Sequence, residues 1–126
     1  MNWPEHTAPP NPVVAILGDG STIYGIQALW SAAHYRVGVL AVVLANGRYA
    51  IMHELARAHG AAKPGGGGTA PWPTFDEVSM SRIAEGFGCP ARRVLTYADL
   101  IGVLDEVLPT LADRQEPLVL EVVVRP

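Results

Sequence analysis

Two rhythms of apolar side chains alternate along this chain. VVAIL (13–17) and VGVLAVVLA (37–45) are apolar runs rich in β-branched residues, which predicts strands covered on both faces. ARRVL (91–95) fits a third short strand and EPLVLEVVV (116–124) a last one. Between these runs the apolar spacing lengthens to three or four residues, the helical period. A helix is predicted from a Ser21 cap to about Tyr35, and another over YAIMHELARAHG (49–60), closed by Gly60. FDEVSMSRIAEGFG (75–88) reads as helical from about Ser79. TYADLIGVLDEVLPTLAD (96–113) carries apolar residues at 100, 101, 104, 107, 108 and 111, with Thr96 as cap and Asp99 at the capping-box position. The alternation of strands with helices predicts an α/β fold of three layers, a mostly parallel sheet with helices on both faces.

Two stretches break the pattern. Residues 1–12 hold four prolines and read as a flexible lead-in. AAKPGGGGTAPWPT (61–74) holds four consecutive glycines and three prolines and reads as a mobile loop. The expected organisation is therefore one domain over 13–126. Composition adds to this picture in one respect. Hydrophobic residues make up 49% and charged residues only 17% of the 126 residues, greasy for so small a chain, which implies apolar surface covered by another copy or domain.

Charge and cysteine count exclude several classes. Twelve acids and nine bases give a net charge of −3 without runs, so no basic stripe exists for nucleic acid. A single cysteine, Cys89, rules out an internal disulfide and a cysteine-built zinc site. The N-terminus has no basic start followed by an apolar stretch, and no window reaches the roughly 18 apolar residues of a membrane span. A cytoplasmic domain away from membranes is the expectation.

The candidate chemistry lies where strands hand over to helices. Ligands of open α/β sheets bind outside the carboxyl ends of the strands, and two unusual loops fall there: Gly18-Asp19-Gly20-Ser21 and Asn46-Gly47-Arg48-Tyr49. Glycines allow close backbone approach, and the amides of Gly20 and Ser21 suit a phosphate. Asp19 alone would repel that phosphate, a contradiction that a bound cation removes. A magnesium ion takes oxygen ligands and shares them with phosphate; the Asp19 carboxylate, the Asn46 side-chain oxygen and the Arg48 carbonyl could supply them. Each loop taken singly is ordinary turn chemistry. Together, 27 positions apart across one strand–helix–strand unit, they favour a metal–phosphate site.

At these residues the chain resembles the thiamine diphosphate-dependent enzymes, whose signature is GDG followed some 25 to 30 residues later by NN. The stretch GDGSTIYGIQALWSAAHYRVGVLAVVLANGRYAIM is most similar to the benzoylformate decarboxylase branch, and the resemblance runs from about Pro12 to the end. It implies thiamine diphosphate and magnesium as cofactors. Asp19 and Asn46 would ligate the metal with the Arg48 carbonyl; Gly18, Gly20, Ser21, Tyr24, Gly47 and Tyr49 would bind the cofactor. Met52 would lie near the substrate, where an apolar residue suits an aromatic or branched 2-oxo acid. Ala45 departs from the pattern, standing where the first Asn of the pair is usual, although the second does the ligation.

Members of that family are several times longer. A separate pyrimidine-binding domain supplies the glutamate that activates the cofactor, and the cofactor sits between two subunits. The resemblance therefore implies a homodimer or higher homo-oligomer, a complementing pyrimidine-binding domain, and no turnover by this chain alone; no catalytic residue is assigned. The leading expectation is the cofactor-binding portion of a 2-oxo acid decarboxylase resembling benzoylformate decarboxylase. An acetolactate-synthase-like domain and a non-catalytic dimerising remnant are the alternatives.

Other motifs are set aside. HELARAH resembles HExxH, but His53 and His59 are six positions apart and point away from one another around a helix. His34 is read as satisfied by the last turn of its helix and His6 as solvated. GGGG (65–68) lacks the Lys-Ser/Thr pair of a phosphate loop, and no base stands beside Cys89 to activate it.

Overall fold

The computed structural model describes residues 11–60 and 72–125. Four strands, β1 (Val13–Gly18), β2 (Val39–Ala45), β3 (Ala91–Val94) and β4 (Leu118–Val123), form one sheet in the order β1-β2-β4-β3. Among the described residues every pairing is parallel, as the fold-class expectation requires. The register places Gly18 beside Leu44, which brings the carboxyl ends of β1 and β2, and the loops that follow them, side by side.

Alternation along β2 and β4 divides the core. Leu40, Leu118, Leu120 and Val122 face one side with Val94 and Val107, where Leu100, Val103 and Leu104 of α5 (Tyr97–Val107) cover them. Ala41, Val43 and Val119 face the other, against Met80 and Ala84 of α4 (Met80–Gly86) and Cys89. Ile23, Leu29 and Ala33 reach the same side from α1 (Asp19–Ile23) and α2 (Ala28–His34). The three-layer expectation holds, and helices switch faces where the chain reverses direction across the sheet, as right-handed crossovers require.

Several predicted bounds are corrected. The helix expected over 21–35 is two short ones, because turns at Gly25 and Ile26 interrupt the ladder. It starts at Asp19, with Gly18 rather than Ser21 in the capping position, and no side chain caps it. The helix expected over 49–60 spans Ala50–Ala58 as α3. The last helix narrows at Leu108 into a 3-10 turn, Leu108–Asp113, because Pro109 has no N–H to continue the α-ladder. Ile101 and Leu108, assigned to its apolar face, are exposed, whereas Val103 packs inward. The Thr96 cap is present, its hydroxyl accepting from the Asp99 N–H at 3.1 Å. Ser79 caps α4 by accepting from the Arg82 N–H.

β1 departs most from expectation. It was read as covered on both faces, yet Val14 is 46% and Ile16 69% exposed on the α5 side, and Val13 and Leu17 are exposed on the other. Within the described residues β1 pairs only with β2, leaving an uncharged apolar strand at the sheet edge. Trp30 and Tyr35 at the outer side of α2 are exposed as well, with Trp30 stacked on the His34 ring rather than that histidine being held by backbone carbonyls. The predicted lead-in and most of the predicted Gly/Pro loop, residues 1–10 and 61–71, lie outside the described residues. No helix among the described residues is long and apolar enough to cross a membrane.

Candidate functional site

β1 ends on Gly18 and the chain turns directly into α1, so Asp19 opens a helix at the carboxyl edge of the sheet. Its carboxylate is 5% exposed. One oxygen accepts from the Gly20 N–H at 2.8 Å, and the other accepts from the Gly47 N–H, also at 2.8 Å. Asp19 therefore ties together two loops that lie 28 positions apart in the sequence. Among the described residues no cationic side chain forms an ion pair with it. A buried carboxylate without a counter-charge costs several kcal/mol, and with two bonds made each oxygen keeps a free lone pair.

The second loop is shaped to meet it. Gly47 has φ +69°, the left-handed region in which glycine escapes the Cβ penalty. The Asn46 side-chain oxygen accepts from the Arg48 N–H at 3.2 Å, an Asx turn that orients the amide. The buried Arg48 Nε has no hydrogen-bond partner. A cavity of about 140 Å³ beside the loops is lined by Asp19, Asn46, Gly47, Phe75 and Asp76, and also by the charged Arg93 and Glu121. One carboxylate and one amide oxygen lining the same cavity are hard oxygen donors of the kind magnesium accepts. No group of three or more His, Cys, Asp or Glu that could hold a metal ion occurs among the described residues.

The remaining predicted residues gather around this point unevenly. Tyr49 lays its ring over Gly20: a Cβ on that glycine would stand 2.6 Å from Tyr49 Cε1. Its hydroxyl is 3.5 Å from that of Tyr24. The hydrogen bond to Tyr24, partial burial and the charges of Tyr24 and Asp19 raise the Tyr49 phenol above its ordinary value. Ser21 is exposed in α1, and Gly18 has open space where a side chain would be. The glycine roles thus differ from the sequence expectation. Gly18 leaves room for an approaching group, whereas the space left by Gly20 is filled by aromatic rings. Met52 stands on α3, 36% exposed.

The sequence reading missed two neighbours, Phe75 and Asp76, which it placed just ahead of the helix expected from about Ser79. Phe75 is 7% exposed, its N–H donates to the Gly47 carbonyl at 2.9 Å, and its ring meets Tyr49 edge-on at 5.0 Å. The only forewarning was an apolar residue directly after a Pro/Gly-rich stretch. Behind the site, the buried Glu121 of β4 accepts from the Met80 and Ser81 N–H groups and from the Ser79 and Ser81 hydroxyls, anchoring α4. Of the set-aside residues, Cys89 is buried, donating to the Leu29 carbonyl, and His59 Nδ1 meets the Leu55 carbonyl at 2.8 Å, while His6 and GGGG (65–68) lie outside the described residues.

Comparison with known proteins gives this geometry a context. A benzoylformate decarboxylase of Pseudomonas aeruginosa is 37% identical over 120 residues, covering 90% of this chain and 20% of that enzyme. A Mycobacterium tuberculosis protein provisionally named acetolactate synthase large subunit IlvX is 37% identical over 125 residues, covering 82% of this chain and 23% of that relative. The solved structure of a thiamine diphosphate-dependent 4-hydroxybenzoylformate decarboxylase of Rhodococcus jostii superposes with a TM-score of 0.78 at 29% identity, covering 94% of this chain and 20% of that one. The chain thus spans about a fifth of the length of the relatives it matches. The family model described as "Thiamine pyrophosphate enzyme, C-terminal TPP binding domain" matches residues 5–122. With the parallel sheet and the paired loops at its carboxyl edge, this chain belongs to the thiamine pyrophosphate enzyme family, as its C-terminal TPP-binding domain.

Proposed function

We propose that this chain holds the diphosphate end of thiamine diphosphate through a magnesium ion, as part of a 2-oxo acid decarboxylase resembling benzoylformate decarboxylase. One observation carries the reading: the buried Asp19 carboxylate joins the two strand-end loops and lacks a cationic side-chain partner among the described residues. Asp19 and Asn46 side chains would hold the ion together with the Arg48 carbonyl. Gly18 leaves the space through which the diphosphate approaches, and the Ser21 amide, the turn at Gly47, and the phenols of Tyr24 and Tyr49 bind it, while the Gly20 amide, already donating to the Asp19 carboxylate, contributes by orienting that ligand. Met52 lines the substrate side with an apolar surface.

When bound, thiamine diphosphate supplies the carbon nucleophile and electron sink that decarboxylation needs. The residues of this chain bind and orient; none of them removes a proton from the cofactor or breaks a carbon–carbon bond. Turnover therefore requires a pyrimidine-binding domain, from further chain or from a partner, and the domain alone is inactive. The exposed apolar side chains of β1 and α2 support association, as a homodimer or higher homo-oligomer. The acetolactate-synthase-like reading is supported by a relative of the same 37% identity over a smaller share of the chain, 82% against 90%; it shares the same cradle and differs in the substrate taken.

Thermal unfolding tests the cradle. Thiamine diphosphate with magnesium should raise the melting temperature, each alone should raise it much less, and Asp19→Asn should abolish the joint effect. A shift that ignores magnesium, or that survives in Asp19→Asn, would remove the proposal.

A further inference from the structure

The two loops that build the cradle come from different strand ends, and magnesium tolerates little error in where its ligands stand: it demands near-octahedral oxygens at 2.0–2.1 Å. What fixes one loop against the other therefore decides affinity. Asp19 bridges them, but that carboxylate is itself a proposed ligand. Tyr49 covers Gly20, but from within the second loop. A third element belongs to neither loop. Phe75, between α3 and α4, puts its ring atom Cζ 3.3 Å from the place a Gly20 Cβ would occupy. The same residue donates its backbone N–H to the Gly47 carbonyl at 2.9 Å. Its ring braces Tyr49 edge-on, with the planes at 69°. The next residue, Asp76, lies directly under Gly47, where Oδ1 would be 2.1 Å from an added Cβ.

From these contacts we infer that Phe75 is a positioning residue for the cation and diphosphate site, wedging the first loop against the second while its backbone and Asp76 hold the second loop from below. The assignment rests on the cofactor reading given above. Phe75 touches neither ion nor diphosphate in this role. It acts through Gly20, Tyr49 and Gly47, and so through the spacing of Asp19 and Asn46. Near complete burial gives it the rigidity to do so, since a buried ring packed against Gly20 and Tyr49 cannot change rotamer without opening a void.

Two measurements on Phe75→Ala and the milder Phe75→Leu decide the matter. The first needs no ligand: amide hydrogen exchange of Gly47 should accelerate at least tenfold in Phe75→Ala and less in Phe75→Leu, while the amides of Leu40 and Leu120 in the sheet stay protected. The second is the magnesium dependence of thiamine diphosphate binding by titration calorimetry. Residues supporting metal ligands typically change affinity by about 10- to 100-fold, and that loss is expected for Phe75→Ala, with partial recovery in Phe75→Leu. Unchanged Gly47 exchange, or a Gly47 amide already unprotected in the parent, overturns the assignment, as does unchanged magnesium dependence. If Phe75→Ala loosens the sheet amides too, Phe75→Leu is judged by the same criteria. Should the parent bind no cofactor, the cofactor reading fails, and the exchange result still decides whether Phe75 fixes the loops.

Discussion

Replacing Glu121 by glutamine changes one oxygen to an amide in the middle of β4 and tests how the site's support is built. Glu121 is 2% exposed and accepts four hydrogen bonds. Oε1 takes the Met80 N–H at 3.2 Å, and Oε2 takes the Ser81 N–H at 3.1 Å with the Ser79 and Ser81 hydroxyls. A glutamine has one oxygen for these two positions. Seated on the three-donor side, it leaves the Met80 N–H facing an NH₂ group; the serine hydroxyls can rotate, but a backbone N–H cannot. An orphaned buried donor costs about 1–3 kcal/mol, and the surviving bonds lose their charge assistance, so a total near 3 kcal/mol is expected. For a domain of this size that lowers the melting temperature by about 10 °C.

The pH dependence sharpens this test. Burial pushes the Glu121 carboxyl up, and the bonds from Ser81, Met80 and Ser79 more than reverse it, leaving it below the ordinary value of 4.5. A carboxyl lowered in the folded state contributes stability that is fully present above its unfolded value and is lost as pH falls through its folded value. Circular-dichroism melts should therefore show the full gap between parent and Glu121→Gln at pH 7, narrowing only below about pH 4.5. A gap under 1 kcal/mol at pH 7, or one that stays constant down to pH 3.5 in a folded protein, would refute the reasoning.

Three further outcomes follow from the backbone and core. Arg36 ends α2 with φ 56°, and the bonds from Val37 to Ala32 and from Arg36 to Ala33 mark a Schellman motif; Arg36→Gly should stabilise by about 0.5–1 kcal/mol in denaturant unfolding. Gly38 has no room for a side chain, because a Cβ would stand 2.0 Å from the Arg114 carbonyl oxygen; Gly38→Ala should lower stability by about 3 kcal/mol on the same assay. Cys89 is 1% exposed and burial pushes its thiol up, so a thiol reagent should modify it slowly in the native protein and at once in denaturant.

The sequence announced the sheet because unbroken apolar runs have few alternatives to a buried parallel strand, and the Thr96 cap was legible from local sequence, whereas the Ser21 cap was not found. It misjudged β1, because an apolar run indicates what a strand needs, not what covers it, and Ile16 is 69% exposed within the described residues. It merged α1 and α2, because the 3.6-residue pattern survives the turn at Gly25 and Ile26. In the site, Asp19 and Asn46 were visible as glycine-flanked polar residues at strand ends. Phe75 was not, since its importance comes from a contact with Gly20 55 positions earlier, and no local pattern encodes such a contact.

The central claim, that Asp19 holds a cation against a diphosphate, is tested most directly by titration calorimetry with inorganic pyrophosphate and with thiamine diphosphate, each with and without magnesium, on the parent and on Asp19→Ala. Because this chain is proposed to grip only the diphosphate end, both ligands should bind the parent with similar affinity, only with magnesium present, and neither should bind Asp19→Ala that has retained its fold. Binding without magnesium, or undiminished binding by Asp19→Ala, would contradict the account.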